Sequence, residues 1–193
     1  MIKPILAIPL GTARIKLDKS EREILDASEF ERGANGSMSL DRNILNSMPI
    51  LKERIMRSVG RYVKEAMGVD WDYKMMNSWC LKHLYGDMGQ PHSHCQSWIS
   101  GCYYTDVRKE SGDILFLKEN KNFFNLSHAE STGYNHDYHC HTPVEGDLLL
   151  FPSHVKHAID MNAVQGFQRR CIAFNILPNG VVGSNENLDY MYV

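Results

Sequence analysis

Between Ser47 and Met67 the apolar residues Leu51, Ile55, Val59, Val63 and Met67 recur at every fourth position, while Lys52, Arg54, Arg57, Arg61 and Lys64 occupy positions between them. That spacing predicts one amphipathic helix, with an apolar stripe on a core and a charged face in water. Ser47 stands where an N-cap is expected, Pro49 is tolerated in a first turn, and Gly68 follows the last apolar position. The basic face reads as a solvated helix exterior.

Beyond Gly68 the period changes. Short runs rich in aromatic and β-branched residues follow one another: WCLKHLY from Trp79, SWISGCYYTDV from Ser97, DILFLK from Asp113, DLLLFP from Asp147 and RRCIAFNIL from Arg169. Gly-Asp, Pro-Ser and Asn-Gly punctuate them, and no helical crossover lies between to suggest a parallel sheet. The expected class is mainly β with N-terminal helices, as a sandwich or barrel. We expect a single domain over 1–193: an N-terminal helical support segment at 1–75, a β core at 76–178 and a C-terminal tail at 179–193. The polar and aromatic stretch from Glu119 to Thr142 has no clear element. It reads as a functional loop, most simply a lid over a site.

Alternation within the runs sorts residues by face. In RRCIAFNIL, Arg169, Cys171, Ala173 and Asn175 oppose Arg170, Ile172, Phe174 and Ile176. The second set is made for a core; the first is small and polar, suited to a cavity where Arg169 could clamp a carboxylate through two parallel hydrogen bonds. In SWISGCYYTDV the same rule groups Trp98, Ser100, Cys102 and Tyr104, so Tyr104 either lines that cavity or simply fills the sheet face with its hydroxyl at the rim.

Composition narrows the field mainly by exclusion. A chain of 193 residues can bury a real core, and its net charge of −2 gives no electrostatic pull toward nucleic acid or an anionic membrane. Five dispersed cysteines without a CxxC pair argue against a disulfide framework or a zinc ribbon and for a reducing compartment. The opening MIKPILAIPLGTARIK is too short and proline-broken for a signal segment or a membrane span, so a cytoplasmic protein is expected. GxSxG, P-loop, GxGxxG and HExxH motifs are all missing.

The chemistry concentrates in histidines. His92 and His94, in PHSHCQ, have i, i+2 spacing, which in an extended chain puts both imidazoles on one face. His157 follows the DLLLFP run, where the chain turns at Pro152. Two ligands from one strand end and a third from a distant strand would make an open site in a β-barrel. A second group, His136, His139, Cys140 and His141, has no partner pair at finger spacing and is read as part of the lid rather than a zinc site.

The ordered set PHxH, S-G-x-Y-Y, G-D-L-x-x-F-P-S-x-x-x-H and R-x-x-I-x-F-N, spanning roughly residues 77 to 177, resembles the Fe(II)/2-oxoglutarate-dependent oxygenase superfamily, in a branch found in bacteria and phages. The resemblance implies a double-stranded β-helix (jelly roll), Fe(II), 2-oxoglutarate as cosubstrate and O2, with decarboxylation to succinate coupled to substrate hydroxylation. It aligns His92 and His157 with the two iron-binding histidines and puts His94 at the position of the usual aspartate. Arg169 matches the residue that binds the far carboxylate of 2-oxoglutarate, and Tyr104 a tyrosine that contacts the same group. Three neutral imidazoles would then replace two histidines and a carboxylate. Two other arrangements stay open: a register with His94 as first ligand and Gln96 at the acidic position, or Asp87 supplying the carboxylate. In every arrangement the imidazoles bind metal only when deprotonated, so affinity should fall below about pH 6.5. The rival functions are a three-histidine cupin-type dioxygenase without 2-oxoglutarate and a non-catalytic metal-binding jelly-roll protein. By analogy with prolyl hydroxylases, the expected substrate is a protein or peptide side chain, with no membrane or nucleic-acid partner.

Overall fold

The structure, a computed structural model, describes residues 7–119, 129–130, 132, 134–184 and 189–193. In chain order it runs β1 (Gly11–Arg14), α1 (Lys19–Asp26), β2 (Phe30–Gly33), β3 (Gly36–Ser39), α2 (Pro49–Tyr62), β4 (Tyr73–His83), β5 (Gly89–His92), β6 (Ile99–Asp106), β7 (Ile114–Leu117), β8 (Tyr138–His141), β9 (Asp147–Pro152), β10 (His157–Ile159), β11 (Arg169–Pro178), β12 (Val181–Ser184) and β13 (Asp189–Tyr192). A seven-stranded sheet in the order β1-β9-β6-β11-β4-β3-β2 and a four-stranded sheet in the order β5-β10-β7-β8 form the body, with β12 and β13 as a separate hairpin. All these strand pairs are antiparallel, as the lack of helical crossovers predicts.

The large sheet divides two cores by the alternation of its strands. One face presents Ile99 and Tyr103 of β6, Leu148 and Leu150 of β9, and Ile172, Phe174 and Ile176 of β11 to the apolar stripe Leu51, Ile55 and Val59 of α2. The other face presents Cys102, Tyr104, Leu149, Phe151 and Cys171 to Ile114 and Phe116 of the small sheet. Trp98, grouped by alternation with the second face, packs instead against the helix-side core; it precedes the first residue of β6, so the strand rule does not reach it.

The helix α2 starts one residue later than a Ser47 cap predicts. Ser47 lies in a 3-10 turn, Ile44–Ser47, and Met48 is the N-cap without a side-chain bond. The carboxylate of Glu21, on α1 and 2% exposed, takes that role by accepting the Leu51 N–H at 2.9 Å. A buried anion at a helix N-terminus is favoured by the converging N–H dipoles. After Tyr62 the chain widens into a π turn, Val63–Met67, and ends at Gly68 with a left-handed φ of 66°.

Segment 1–75 is not helical throughout. Besides α1 and α2 it contributes β1, which pairs with β9, and β3, which pairs with β4 and β2. The sequences GTAR, FERG and GSMS are too short and polar for a period to show. Within the stretch Glu119–Thr142, Tyr138–His141 forms β8 against β7, while 120–128, 131 and 133 fall outside the described residues. Among the described residues, no helix is long and apolar enough to cross a membrane.

Candidate active site

Three imidazoles converge where the small sheet meets the loops beside the large one. His92 ends β5 and faces His157, the first residue of β10, in direct register. His94 follows two residues beyond His92, and its backbone N–H is held by the Ser153 carbonyl at 2.9 Å. Ring centroids are 4.4 Å apart for His92 and His157, 5.2 Å for His92 and His94, and 5.3 Å for His94 and His157. One nitrogen from each lies within 4.8 Å of the other two.

Backbone carbonyls set two of the tautomers. His92 Nδ1 lies 2.7 Å from the Gln90 carbonyl and His157 Nδ1 lies 3.0 Å from the Val155 carbonyl. A carbonyl only accepts, so both Nδ1 atoms carry protons and both Nε2 lone pairs are left for a metal. Burial pushes the His157 imidazole down to about 4, with smaller contributions from the other two rings, and burial together with His92 lowers His94. These two imidazoles are therefore neutral at physiological pH, the protonation state that ligates.

The other candidate ligands lie elsewhere. Asp87 places both carboxylate oxygens 2.5 Å from Arg32 and accepts the Leu84 N–H at 2.8 Å. Gln96 is exposed, with φ at 142°. Cys140 donates to Asp113 at 3.1 Å, and His141 Nε2 stands 3.5 Å from Asp147. Among the described residues, His92, His94 and His157 form the only group of three or more His, Cys, Asp or Glu that converges for a metal.

A cavity of about 50 Å3 adjoins the three rings, lined among others by Trp79, Leu81, Cys102, Ile114, Cys171 and Ala173. A larger cleft, of about 700 Å3, lies between the β1 region and α2, lined by Arg14, Lys16, Arg54, Arg57 and Arg61. The small cavity is bordered by the converging imidazoles, whereas the larger cleft is lined by no histidine, cysteine or carboxylate. Along β11, Arg169 is the next residue on the face of the cavity-lining Cys171; along β6, Tyr104 follows Cys102 in the same way.

Arg169 and Tyr104 are each 0% exposed, and the guanidinium carbon lies 5.3 Å from the Tyr104 ring centre. Arg169 Nε donates to the Gly112 carbonyl at 3.2 Å and Nη1 to His83 Nδ1 at 3.2 Å. Its Nη2 has no partner, nor does the Tyr104 hydroxyl, although both atoms are buried. A buried guanidinium without a carboxylate is costly, and unpaired buried donors are rare, so the pair fits an anionic group absent from the protein itself. Volume is the constraint on that fit. At about 50 Å3 the cavity is far below the roughly 300 Å3 or more of typical small-molecule pockets, so a five-carbon diacid requires lining side chains to shift.

Strand alternation placed Arg169, Cys171, Ala173, Ser100, Cys102 and Tyr104 on one face, and the structure brings them together. It did not single out Trp79, Leu81 or His83, whose period-2 spacing along β4 is visible but whose register against β11 is not local information. At the opposite end of β11, Asn175 accepts from Ser100 at 2.8 Å and donates to Asn77 at 3.0 Å.

A family model described as "Putative 2OG-Fe(II) oxygenase" matches residues 77–175, more than half of the chain. The chain belongs to the 2OG-Fe(II) oxygenase family. Members are oxidoreductases that use Fe(II), 2-oxoglutarate and O2, and the three-histidine group and the orphaned Arg169 and Tyr104 donors of this 2OG-Fe(II) oxygenase fit the first two. Solved structures share the double-stranded β-helix fold. An oxidoreductase of the 2OG-Fe(II) oxygenase family from Burkholderia pseudomallei superposes with a TM-score of 0.62 at 12% identity, covering 86% of this chain and 84% of that one. HygX from Streptomyces hygroscopicus, with nickel, 2-oxoglutarate and hygromycin B bound, gives 0.61 at 15% identity over 89% and 83%. A Pseudomonas putida prolyl-4-hydroxylase gives 0.53 at 13% identity over 87% and 92%. No curated protein shows significant similarity to the chain.

Proposed function

We propose that this oxygenase is a hydroxylase that holds Fe(II) on His92, His94 and His157 and takes the distal carboxylate of 2-oxoglutarate on Arg169 Nη2 and the Tyr104 hydroxyl. The observation that carries this reading is the buried, unpaired Nη2 beside an unpaired phenol, two positions along their strands from residues lining a cavity that the three imidazoles border. Bound iron supplies O2 activation, coupling oxidation of the cosubstrate to succinate with hydroxylation of the substrate.

The chain's own part is positional and electrostatic. Gln90 and Val155 carbonyls keep the Nε2 lone pairs of His92 and His157 available. Arg169 and Tyr104 orient the cosubstrate from its far end, which fixes the direction in which its other end meets the metal. Leu81, Ile114 and Phe151 give the cavity an apolar lining that limits water. Because the ligand set is uncharged, the charge of the metal is offset by the cosubstrate rather than by a protein carboxylate, so metal and 2-oxoglutarate should bind with positive coupling. A three-histidine dioxygenase without 2-oxoglutarate leaves the buried Arg169 cation without a role. We place the protein in the cytoplasm on its five free thiols, and take its substrate to be a protein or peptide side chain on the likeness to the P. putida enzyme, with no membrane or nucleic-acid partner.

The test is an anaerobic titration of metal-free protein with Fe(II) and then 2-oxoglutarate, following visible charge-transfer absorption. A saturable band that weakens in Arg169→Ala and in His94→Ala supports the reading. Iron binding without a band points to the three-histidine dioxygenase instead.

A further inference from the structure

One buried imidazole has no place in the scheme above. His83, the last residue of β4, is 2% exposed and stands directly opposite Arg169 in the β4–β11 register. Its Nδ1 lies 3.2 Å from Arg169 Nη1. A guanidinium has no acceptor, so Nδ1 must be the accepting nitrogen and the ring must be neutral, with its proton on Nε2. The surroundings enforce that state. Burial and the Arg169 charge push His83 down to about 4, against smaller upward pulls from Asp87 and a backbone hydrogen bond to Asn35.

The ring is also clamped in place. The far edge of the imidazole lies against the β2–β3 turn, where a Cβ on Gly36 would come 2.9 Å from His83 Nε2, and Gly36 has φ at 121°. Only glycine allows both that approach and that backbone conformation readily. Asp87, locked by two 2.5 Å bonds from Arg32, accepts the N–H of Leu84, the residue next to His83. Arg169 is thus held at Nε by Gly112 and at Nη1 by His83, with the Cys171 sulfur farther off at 3.8 Å, while Nη2 is left free.

The geometry points to His83 as a positioning residue for the cosubstrate site: its neutral imidazole takes up Arg169 Nη1 and fixes the guanidinium plane, so that Nη2 remains the donor for the distal carboxylate. This rests on the assignment of Arg169 to 2-oxoglutarate. It also makes the N-terminal β2–β3 hairpin part of the support of that site, through Gly36, although the hairpin contributes no atom to the cavity lining.

Leucine and asparagine separate an accepting role from simple filling of space. They have the same branched set of four non-hydrogen side-chain atoms, and only asparagine offers an acceptor close to the position of Nδ1. The experiment is calorimetric titration of Mn(II)-loaded protein with 2-oxoglutarate, with Mn(II) affinity and melting temperature measured in parallel. His83→Leu should weaken 2-oxoglutarate binding about tenfold or more, the value of one hydrogen bond to a charged group, and His83→Asn should stay within about threefold of the parent, with Mn(II) affinity unchanged in both. Should His83→Leu fail to fold, His83→Phe keeps a ring without an acceptor and takes its place in the comparison. Parent-like 2-oxoglutarate binding in the leucine variant, or equal losses in the leucine and asparagine variants, overturns the positioning role. Arg169→Met tells that failure from a failure of the cosubstrate assignment. If this variant loses affinity while His83→Leu keeps it, only the His83 role falls; if it binds as the parent does, or the parent binds no 2-oxoglutarate, both fall.

Discussion

Arg169→Met removes a charge while keeping most of the side-chain volume, and the structure predicts that it separates stability from cosubstrate binding. The guanidinium is 0% exposed, and its hydrogen-bond partners are a carbonyl, an imidazole and a thiol, none of them a carboxylate. Breaking a true buried ion pair costs about 3–5 kcal/mol because the surviving charge is stranded. Here no carboxylate is stranded. Three acceptors lose a donor, the Gly112 carbonyl and His83 Nδ1 at about 1–3 kcal/mol each and the weakly accepting Cys171 sulfur at less, and removing the cation from the interior returns a desolvation cost of several kcal/mol. These opposing contributions should leave the metal-free protein within about 2 kcal/mol of its parent.

Binding should respond very differently. Loss of a charge-assisted bond from Nη2 and of the buried Coulombic attraction should exceed the roughly 2.7 kcal/mol that a hundredfold loss of affinity represents. Urea unfolding of the metal-free proteins reads the first quantity, and calorimetry of the Mn(II)-loaded proteins with 2-oxoglutarate reads the second. A ligand at a hundred times its Kd adds about 2.7 kcal/mol to stability, so the parent should gain that from 2-oxoglutarate and a variant weakened a hundredfold or more should gain about 0.4 kcal/mol at most. A loss of 3–5 kcal/mol with 2-oxoglutarate binding intact would refute the reasoning: Arg169 would then be a structural cation and the cosubstrate site would lie elsewhere.

Acid should destabilise the metal-free protein: His83 and His157 are held at about 4 against about 6.5 unfolded, so between those values the unfolded chain binds protons that the folded one does not. Their stabilising contribution is complete above about pH 6.5 and lost as pH falls toward 4, up to about 3 kcal/mol each; urea midpoints that stay flat from pH 7 to pH 5 would contradict it. His94→Asp supplies the carboxylate that other oxygenases carry at this position and should retain Fe(II) at least as tightly as the parent in equilibrium dialysis, whereas His94→Ala and His157→Ala should lose it; a His94→Ala protein that binds iron as tightly as the parent would remove His94 from the ligand set. Gly36→Ala should lower the melting temperature, because φ of 121° is strained for alanine by about 1–3 kcal/mol and its Cβ would press on His83. An unchanged melting temperature would show that the hairpin yields freely.

What could be read in the sequence was what neighbours along the chain impose on one another. The four-residue period of Leu51, Ile55 and Val59 describes a buried stripe because a helix repeats nearly that often, and the alternation Arg169, Cys171, Ala173 describes a cavity face because a strand repeats every two residues. The i, i+2 spacing of His92 and His94 was legible for the same reason. Strands of three or four residues such as β1, β3 and β10 offer too few repeats for a pattern to stand out, and the cap of α2 could not be seen because Glu21 reaches Leu51 from thirty positions away. His83 shows where the limit lies. It meets Arg169 across 86 residues of chain, and that pairing exists only because the whole buried face of β4 sets its register against β11. A shift of one residue would turn His83, Leu81 and Trp79 away from the cavity together. The hydrophobic pattern that stabilises the sheet is therefore also what aims the polar groups of the site, and no local motif around His83 needs to encode its contact with Arg169.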